Sequence, residues 1–455
     1  MNDHSFTNQT QVLNFLQEKE NNVRFVRIIF PDVLGREMSF TIPSDEMAAA
    51  FDTGKGFDGS SVEGFARIEE SDLIIVPDPK TFRVLPWHYE LGELRWKEAV
   101  VFGDILTPDN NHYLGDSRYA LKKVLEKYQS IGSLLAGPEL EFFIFPNQDT
   151  PRFLDHGGYF YGGQWGEIRK ASQLYLRELG IECDYDHHEC APSQHEIDLK
   201  YSDALTIADS VMLAKYVIKR VARKSDIFVS FMPKPVATVN GSGMHLHLSL
   251  WKENRNLFFN SQENPLSDLA KRYMMGLIKY GQEIQLVLNQ WVNSYKRLIP
   301  GYEAPVYLAW GGKNRSAYLR VPQTHLTKAE TATRFEIRSP DPACNIYLAL
   351  AVIQAVGMEG VKENLPFQPA EEEDIFKMTQ AAMNDKQIKV LSKNMEEALN
   401  YFRNSALVRE VLGEHLFEKI IQNKEAEWAD YHQSVARELD KEVSPYEITK
   451  YLPVL

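Results

Sequence analysis

The length, composition and charge of the chain exclude several classes of protein. Its 455 residues are 44% hydrophobic and 25% charged, which is ordinary for globular proteins and excludes a wholly disordered chain. The net charge of -13 at pH 7 disfavours nonspecific binding to nucleic acid or to anionic membranes. We therefore expect small-molecule partners, no nucleic acid and no membrane.

Cysteine usage and the N-terminal segment predict a cytoplasmic protein. Cys183, Cys190 and Cys344 cannot form a disulfide framework and lack zinc-site spacing, which indicates a reducing compartment. The N-terminus shows no basic segment followed by an apolar one, so we expect no secretory signal. The longest apolar stretch, residues 347–358, is too short to span a bilayer and predicts a buried helix.

The predicted elements divide the chain into two domains. Residues 23–30 predict a strand, and short strands and loops continue to a turn-forming run at 107–111. A capped amphipathic helix is predicted to begin at Asp116. We place a small domain over residues 1–108 and a larger one over residues 109–455. Predicted helices alternate with strands in the larger domain, as is typical of an α+β fold, and they cover residues 203–224, 266–290 and 396–404.

Alternating polar residues mark four predicted strands of the larger domain: Glu139-Leu140-Glu141, Gln194-His195-Glu196, His245-Leu246-His247 and Glu336-Ile337-Arg338. Residues i and i+2 of a strand point to the same face, so each stretch presents two polar groups in one direction. The strand around Glu139 and Glu141 is apolar on both faces, which predicts burial, and buried carboxylates need cations. One such stretch is more often a strand with its polar face in water. Four together favour a cation-lined or cation-filled cavity.

The residue types in these stretches favour a metal-dependent nucleotide enzyme. Carboxylates with neutral imidazoles favour Mg²⁺ or Mn²⁺ over zinc or copper. Such cations neutralise phosphate charge, and arginines hold a moving phosphoryl group. Arg297, Arg315 and Arg320 lie near loops marked by glycine and proline, although any single arginine is more often a surface residue. The sequence has no Walker or Rossmann motif, so an ATP site must be of another design.

Seven ordered segments, spanning nearly the whole chain, resemble class I glutamine synthetases: 58–61, 137–141, 187–196, 240–247, 293–305, 314–316 and 334–342. The resemblance implies ATP-dependent ligation of ammonia to the γ-carboxylate of glutamate through γ-glutamyl phosphate, giving glutamine, ADP and phosphate. It also implies a small N-terminal β-grasp-like domain. A larger C-terminal α/β catalytic domain would contain a curved antiparallel sheet, and residues 443–455 would form a helical clasp.

The resemblance further implies the binding residues, with two or more Mg²⁺ or Mn²⁺ ions at each site. The ion nearer the glutamate would be held by Glu141, Glu189 and Glu196. The ion nearer the ATP phosphates would be held by Glu139, His245 and Glu336. Glutamate would be bound by Asn240, Gly241, Arg297 and Arg338. The nucleotide side would be formed by His247, Ser249, Arg315 and Arg320, and the two arginines would stabilise the transferring phosphoryl group.

By the same resemblance, ammonium would be bound by Asp58, Ser61, Tyr159, Glu189 and Glu303. Ammonium is captured as a cation but reacts as a neutral amine, so its site needs anionic groups and a proton acceptor. Asp58 would deprotonate ammonium, although an aspartate before glycine is in isolation a common turn residue. Glu303, on a flap, would exclude water and accept a proton. The expected catalytic set is Asp58, Ser61, Glu303 and Arg315.

The family also implies an assembly and its regulation. Because the Asp58 loop is contributed by a neighbouring subunit, we expect a homo-oligomer, a dodecamer of two hexameric rings. Arg67 resembles the feedback-regulated branch and suggests inhibition by glutamine. Phe376 falls where adenylylated members carry tyrosine, which argues against that modification. A nitrogen-regulatory protein is a candidate partner.

Departures from the family pattern leave alternatives open. Residues 311–313 read Gly-Gly-Lys where Ser-Ala-Arg is usual, and the loop at 160–165 is shorter and more aromatic. A γ-glutamyl-amine ligase that uses an organic amine or polyamine is the first alternative, although the retained Asp58 and Glu303 argue against it. A non-catalytic scaffold is the second, and it would predict eroded metal ligands, whereas all six are present.

Overall fold

The computed structural model describes residues 6–60, 62, 72–261, 265–302, 304–314, 316–373, 375–436 and 442–455, without the side chains of residues 326, 376 and 380. The helices are α1 (Gln9–Gln17), α2 (Met47–Thr53), α3 (Ser117–Tyr128), α4 (Gly166–Glu178), α5 (Ala204–Arg223), α6 (Asp268–Leu288), α7 (Ser294–Arg297), α8 (Ala329–Ala332), α9 (Ile346–Lys362), α10 (Gln380–Asp385), α11 (Met395–Arg403), α12 (Ala406–Ser434) and α13 (Pro445–Tyr451).

The strands are β1 (Val23–Pro31), β2 (Glu37–Pro43), β3 (Lys55–Asp58), β4 (Asp72–Pro77), β5 (Arg83–Val84), β6 (Tyr89–Leu91), β7 (Leu94–Leu106), β8 (Ser133–Phe145), β9 (Cys183–His188), β10 (Gln194–Leu199), β11 (Ser202–Asp203), β12 (Phe228–Ser230), β13 (Leu246–Lys252), β14 (Arg255–Asn256), β15 (Tyr307–Gly311), β16 (Ala317–Arg320), β17 (Phe335–Ile337) and β18 (Lys389–Val390). Mixed helices and strands confirm the predicted α+β class.

The N-terminal sheet has the strand order β2-β1-β7-β4-β3, with β5 and β6 also paired to β7. Both faces of β1 and β7 are buried. Val26 and Ile28 pack into a core shared with α1 and α2, whereas Ile29, Val100 and Phe102 pack into the core of the larger region. This sheet therefore lies between two apolar layers, which explains the nearly continuous hydrophobic run of β1.

The larger sheet has the order β18-β15-β16-β17-β13-β8-β10-β9, with β11 and β12 paired to β8 and β14 paired to β13. Its described strand pairs are antiparallel except for β15 and β16, which are parallel. The four polar stretches lie on the neighbouring strands β17, β13, β8 and β10. Strand order alone thus places their side chains in one region.

The register of these strands aligns the polar residues. Glu196 of β10 lies opposite Glu141 of β8, and Glu336 of β17 lies opposite His247 of β13. His245 comes one residue before β13, yet its carbonyl accepts a hydrogen bond from Glu139 N at 3.0 Å, so the segment still follows the sheet. His245 and His247 therefore point to the same face of the sheet, as period-two spacing predicts, although His245 precedes β13.

Helices cover this sheet, and the predicted ones are confirmed. The apolar run at 347–358 lies within α9, which packs against α3, α5 and α6. Asp116 caps α3 by accepting hydrogen bonds from Arg118 N and Tyr119 N. None of the described helices is long and apolar enough to cross a membrane. The division at residue 108 stays a prediction.

Candidate active site

A carboxylate and two imidazoles form the centre of the site, where β8, β13 and β17 meet. Glu139 Oε2 lies 2.8 Å from His245 Nδ1, and Glu139 Oε1 lies 2.6 Å from His247 Nε2. The same His245 Nδ1 is 3.6 Å from Glu336 Oε1. Ligand atoms of Glu139, His245 and Glu336 lie within 4.8 Å of one another. The structure therefore brings together the three residues predicted for the nucleotide-side ion.

The predicted glutamate-side residues lie beside this group. His187 lies between Glu189 and Glu196, with Nδ1 3.8 Å from Glu189 Oε1 and Nε2 3.6 Å from Glu196 Oε1. His187, Glu196 and Asp198 form a buried group whose ligand atoms lie within 4.8 Å of one another. Glu141 Oε1 is 4.0 Å from His245 Nδ1, so it borders both groups.

The buried carboxylates repel one another. Burial, followed by the charges of Glu189 and Glu139, raises the pKa of Glu141 well above its usual range. Burial, followed by the charges of Glu141 and Glu139, does the same to the pKa of Glu196. Burial also opposes ionisation of Glu139, but hydrogen bonds from His245 and His247 outweigh it and hold its pKa well below the usual range. Divalent cations would relieve this repulsion, and the oxygen-rich donor set fits Mg²⁺ or Mn²⁺.

Three arginines surround the carboxylates. Glu336 accepts from Arg338 at 2.5 Å and from Arg320 at 2.9 Å. The buried Arg297 guanidinium donates to the carbonyls of Arg338, Ser339 and Pro340 at 3.0, 2.8 and 3.3 Å. These contacts fix the arginines beside the acidic groups, where they can bind anions.

Two glycines allow the backbone to approach these side chains closely. A Cβ atom at Gly241 would lie 2.3 Å from Pro233 O, and one at Gly243 would lie 2.6 Å from an Arg297 terminal nitrogen. Gly243 N also donates to Glu141 Oε2 at 2.9 Å, and Gln194 Nε2 donates to the same oxygen at 2.9 Å. The Asn-Gly-Ser-Gly segment is thus required by packing as well as by hydrogen bonding.

A third polar group lies behind the site and does not suit a metal ion. Asp155, His188 and His195 have ligand atoms within 4.8 Å of one another. However, Arg169 donates to His195 Nδ1, so the ring proton lies on Nε2 and leaves no lone pair for a cation. Burial, then the positive charge of Arg169, lowers the pKa of His195 to about 3. His195 Nε2 and Asp155 Oδ2 have no hydrogen-bond partner within the described residues and suit a bridging water.

Comparison with known proteins identifies the family. Residues 22–108 match the family described as glutamine synthetase, beta-Grasp domain, and residues 114–451 match glutamine synthetase, catalytic domain. A glutamine synthetase of Methanosarcina mazei is 41% identical over 447 residues, covering 96% of each chain. One of Mycolicibacterium smegmatis is 43% identical over 451 residues, covering 97% of this chain and 98% of the other.

The chain belongs to the glutamine synthetase family. Solved structures agree: GmaS in complex with ADP has a TM-score of 0.84 at 27% identity, covering 95% of this chain and 98% of the other. A cryo-EM structure of Plasmodium falciparum glutamine synthetase has a TM-score of 0.84 at 25% identity, covering 99% of this chain and all of the other. The predicted fold is confirmed, including the β-grasp N-terminal domain, and the chain is an enzyme of this family.

Several residues that the family resemblance assigns lie elsewhere or outside the described structure. Ser61, Arg67, Glu303 and Arg315 lie outside the described residues, as does the side chain of Phe376. Asp58 lies exposed at the end of β3 and accepts a hydrogen bond from Ser60 N at 2.8 Å. Among the hydrogen bonds and ion pairs of the described residues, none joins Asp58 to the carboxylate cluster.

The remaining predicted residues, Tyr159, Asn240 and Ser249, lie on segments next to those that carry the carboxylate cluster. Tyr159 is half exposed, and its ring centroid lies 5.1 Å from that of His187. Asn240 is half-buried directly before Gly241, whose carbonyl accepts from Gln194. Ser249 is half-buried and accepts a hydrogen bond from Trp251 Nε1 at 3.0 Å.

Sequence reasoning missed three residues of the site. Asp198 follows Glu196 by two positions on β10, so period-two spacing could have predicted it. His187 was visible only as part of a family segment, and its position between two glutamates arises from folding. Arg334, whose Nε lies 3.2 Å from His247 Nδ1, precedes Glu336 by two positions, so the same spacing could have predicted it.

The Gly-Gly-Lys departure has a structural explanation. Glu372 accepts hydrogen bonds from Gly312 N at 2.7 Å and Lys313 N at 3.1 Å. A Cβ atom at Gly311 would lie 2.7 Å from Glu371 O. The loop therefore packs closely on an acidic segment, which a sequence reading would leave as a solvated cluster.

Proposed function

We propose that this chain is a glutamate-ammonia ligase that forms glutamine, ADP and phosphate from glutamate, ammonium and ATP. The observation that carries the proposal is the group of half-buried Glu139 and buried His245 and Glu336, bordered by Arg320 and Arg338. Such a site can bring an anionic acceptor and a triphosphate together only if positive charge surrounds both. Membership of the glutamine synthetase family supports the same reaction.

Two Mg²⁺ or Mn²⁺ ions fit the donor set. Glu139, His245 and Glu336 would hold one, and Glu141, Glu189 and Glu196 would hold the other. When bound, the ions neutralise negative charge on the phosphates and the glutamate carboxylate. His187 separates Glu189 from Glu196 in this structure, so its ring is a candidate to move when the second ion binds.

The chain's own residues would bind and orient the substrates in the first step. Arg297, Arg338, Asn240 and Gly241 would hold glutamate, while His247, Ser249, Arg315 and Arg320 would face ATP. A γ-carboxylate oxygen attacks the γ-phosphorus, and the bond from that phosphorus to ADP breaks. Arg315 and Arg320 would stabilise the charge that develops on the transferring group.

Amide formation would use the ammonium pocket of Asp58, Ser61, Tyr159, Glu189 and Glu303. Asp58 would take a proton from ammonium, and the neutral amine attacks the acyl carbon of γ-glutamyl phosphate. Phosphate leaves with the former carboxylate oxygen, and Glu303 would accept the remaining amine proton. Closure of the Glu303 flap would exclude water from the acyl phosphate.

The active form would be an oligomer in the cytoplasm. Asp58 lies outside the cluster of its own chain, so a neighbouring subunit would supply it, as in a dodecamer of two six-membered rings. Residues 443–455 would form the clasp between rings. Arg67 would mediate inhibition by glutamine, adenylylation would be absent, and a nitrogen-regulatory protein is a candidate partner.

The proposal is tested by product analysis with a panel of amines. Purified protein receives ATP, Mg²⁺ or Mn²⁺ and glutamate with ammonium, methylamine, ethanolamine or putrescine at matched concentrations. Phosphate release is followed, and the amide is identified by mass. Preference for ammonium with glutamine as product supports the ligase, and absence of amide with every amine overturns it.

A γ-glutamyl-amine ligase is the second candidate, favoured by the aromatic loop at the site. Phe160 is 63% exposed and its ring centroid lies 4.1 Å from that of Tyr159 and 4.9 Å from that of His187. Exposed rings beside carboxylates suit the alkyl part of an organic ammonium ion. A clear preference for methylamine, ethanolamine or putrescine in the same assay would establish this reading.

A further inference from the structure

A cavity of about 660 Å³ lies between the N-terminal sheet and α5, apart from the carboxylate cluster. Its walls come from β1, β2, α5, the segment around Pro342 and the last two residues, Val454 and Leu455. Among the described residues that line it, Glu37 is the only carboxylate side chain. The cations that line it are Arg27, Arg36, Lys215, Lys219, Arg220 and Arg223.

Part of this positive charge is already compensated. Arg27 lies 3.2 Å from Glu98 and 3.9 Å from Glu37, and Arg36 lies 2.7 Å from Asp32. Arg220 lies over the rings of Trp87 and Tyr89 at 4.7 and 4.8 Å. Arg27 and Arg36 therefore already have anionic partners, whereas Arg220 has only ring contacts and a buried Nε without a hydrogen-bond partner among the described residues.

Three further cations line the cavity from α5. Among the ion pairs of the described residues, none involves Lys215, Lys219 or Arg223. Lys215 Nζ donates to Pro342 O, and Lys219 Nζ donates to Val454 O at 3.4 Å. Burial, then the neighbouring charge of Lys215, lowers the pKa of Lys219 to about 8, although the Glu37 carboxylate acts in the opposite direction. Positive charges that repel one another in a cavity indicate a site built for an anion.

We propose that this cavity binds a compact polyanion, a phosphate ester or a polycarboxylate, through Lys215, Lys219 and Arg223. Arginine and lysine provide several charge-assisted donors to either class. Phe231 lies 5.6 Å from both lysine ammonium groups and offers an apolar surface to the organic part of the ligand. The volume is sufficient for a small metabolite.

The cavity also borders the segment that holds Arg297. Pro342 O accepts from Lys215, and the carbonyls of Ser339 and Pro340, a few residues earlier, accept from the Arg297 guanidinium. A bound polyanion would accept from the same Lys215 ammonium that donates to Pro342 O and would draw it toward the cavity. Binding of the polyanion can therefore shift residues 339–342 and, through them, the Arg297 guanidinium in the candidate active site. This effect on the active site rests on the proposed function, whereas binding of the polyanion to the cavity does not.

Calorimetric titration of the full-length protein tests the proposal. The protein is first freed of metal on a chelating resin, and pyrophosphate and citrate are then titrated separately in metal-free buffer without a soluble chelator, which disfavours binding at the acidic cluster. We expect saturable binding near one per chain that weakens with salt. Lys219→Gln should weaken it about tenfold or more, and Lys219→Arg should retain it. Lys224→Gln, an exposed lysine that follows the same helix, is the matched control and should leave affinity unchanged.

The two probes distinguish the ligand class, because the tighter one identifies phosphate or carboxylate recognition. If Lys219→Gln fails to fold, Arg223→Gln provides the second test, since Arg223 is exposed. No saturable binding of either anion would overturn the proposal. Equal loss in Lys219→Gln and Lys224→Gln would also overturn it. Lys219→Gln should retain basal glutamine formation, so failure of this site is separable from failure of the proposed reaction.

Discussion

Glu139 is held by His247 through a bond of 2.6 Å from Nε2 to Oε1. Arg334 donates from Nε to the other ring nitrogen, Nδ1, at 3.2 Å. Because arginine only donates, the single proton of a neutral His247 ring lies on Nε2 and points at the carboxylate. The family resemblance assigns His247 to the nucleotide side. Its contacts indicate that it also orients a predicted metal ligand.

His247→Asn should therefore lower metal affinity as well as activity. Loss of the hydrogen bond frees one Glu139 oxygen, and we expect the Mn²⁺ dissociation constant to rise by about tenfold or more. Mn²⁺ binding is measured by electron paramagnetic resonance without substrates. His325→Asn, at an exposed histidine outside the site, is the control. Unchanged Mn²⁺ affinity with a raised KM for ATP would restrict His247 to nucleotide contact.

Gly243→Ala should disable the site while the fold persists. The added Cβ would lie 2.6 Å from Arg297 and 2.8 Å from His245 Nε2, so both side chains must shift. We expect kcat/KM to fall by about a hundredfold, since small misplacements are costly in catalysis. Steady-state kinetics and circular dichroism measure the two effects. Gly162→Ala is the matched control, because its Cβ meets nothing within 4 Å. Near-normal activity of Gly243→Ala would show that this packing is not required.

Glu196→Gln should stabilise the metal-free protein and weaken its response to metal. Glu196 is buried opposite Glu141, and a neutral amide removes the repulsion between them. In EDTA the midpoint of thermal unfolding should rise by about 2–4 °C. The further rise on adding MnCl₂ should be smaller than in the parent protein. A lower midpoint in EDTA would show that Glu196 is already compensated by its neighbours.

Period-two spacing predicted many of the site residues because the face to which a strand side chain points depends only on its position in the strand. Glu139 and Glu141 share a face, as do His245 and His247, whatever the strand order. Long amphipathic or apolar runs such as α5 and α9 were predictable for the same reason. The sequence does not state which loops meet, so the contact of Glu372 with Gly312 and Lys313, across 60 and 59 residues, could not be predicted.

The hydrogen-bond network around Asp155 is a second case in which the sequence does not show which segments come into contact. Asp155 Oδ1 accepts from Ser193 N at 2.7 Å and from His188 Nε2 at 3.1 Å, while His188 Nδ1 donates to Glu189 O at 2.8 Å. These bonds join the loop before Tyr159 to the loop that carries Glu189. They depend on tertiary contacts between separate segments, for which spacing gives no signal.

Asp116 should make stability depend on pH. Burial raises the pKa of this carboxyl from 3.8 to about 6. Between these values the unfolded chain has lost the proton and the folded chain retains it, so stability falls as pH rises. In Asp116→Asn this dependence is absent. Between pH 4 and pH 7 the unfolding free energy of the variant, relative to the parent, should gain about 2 kcal/mol.

Urea unfolding at the two pH values measures this effect. Asn retains the capping oxygen for Arg118 N and Tyr119 N but cannot accept the hydrogen bond that Ile105 N donates to Asp116 Oδ2 at 3.0 Å. That loss does not vary with pH, so the pH-dependent part of the comparison reports the charge. Asp149→Asn, at an exposed aspartate, is the matched control for replacing an aspartate with asparagine. A constant difference between Asp116→Asn and the parent across this range would contradict the raised pKa.

Glu303→Ala should weaken glutamine formation more than ATP binding. The flap residue is proposed to act after nucleotide has bound, by excluding water and accepting an amine proton. Glutamine is quantified by mass, ATP affinity is measured by calorimetry, and hydrolysis of ATP without amide formation should increase. Glu253→Ala, at an exposed glutamate in a turn, serves as control. Equal losses in ATP affinity and glutamine formation would refute this role.

Oxygen transfer from glutamate to phosphate tests the central claim most directly. Glutamate labelled with ¹⁸O in the γ-carboxylate is incubated with the protein, ATP, Mg²⁺ and ammonium, and the released phosphate is analysed by mass. If the cluster promotes attack of the γ-carboxylate on ATP, one labelled oxygen appears in each phosphate and the other remains in glutamine. Unlabelled phosphate, with both labelled oxygens still in glutamate, would contradict the account.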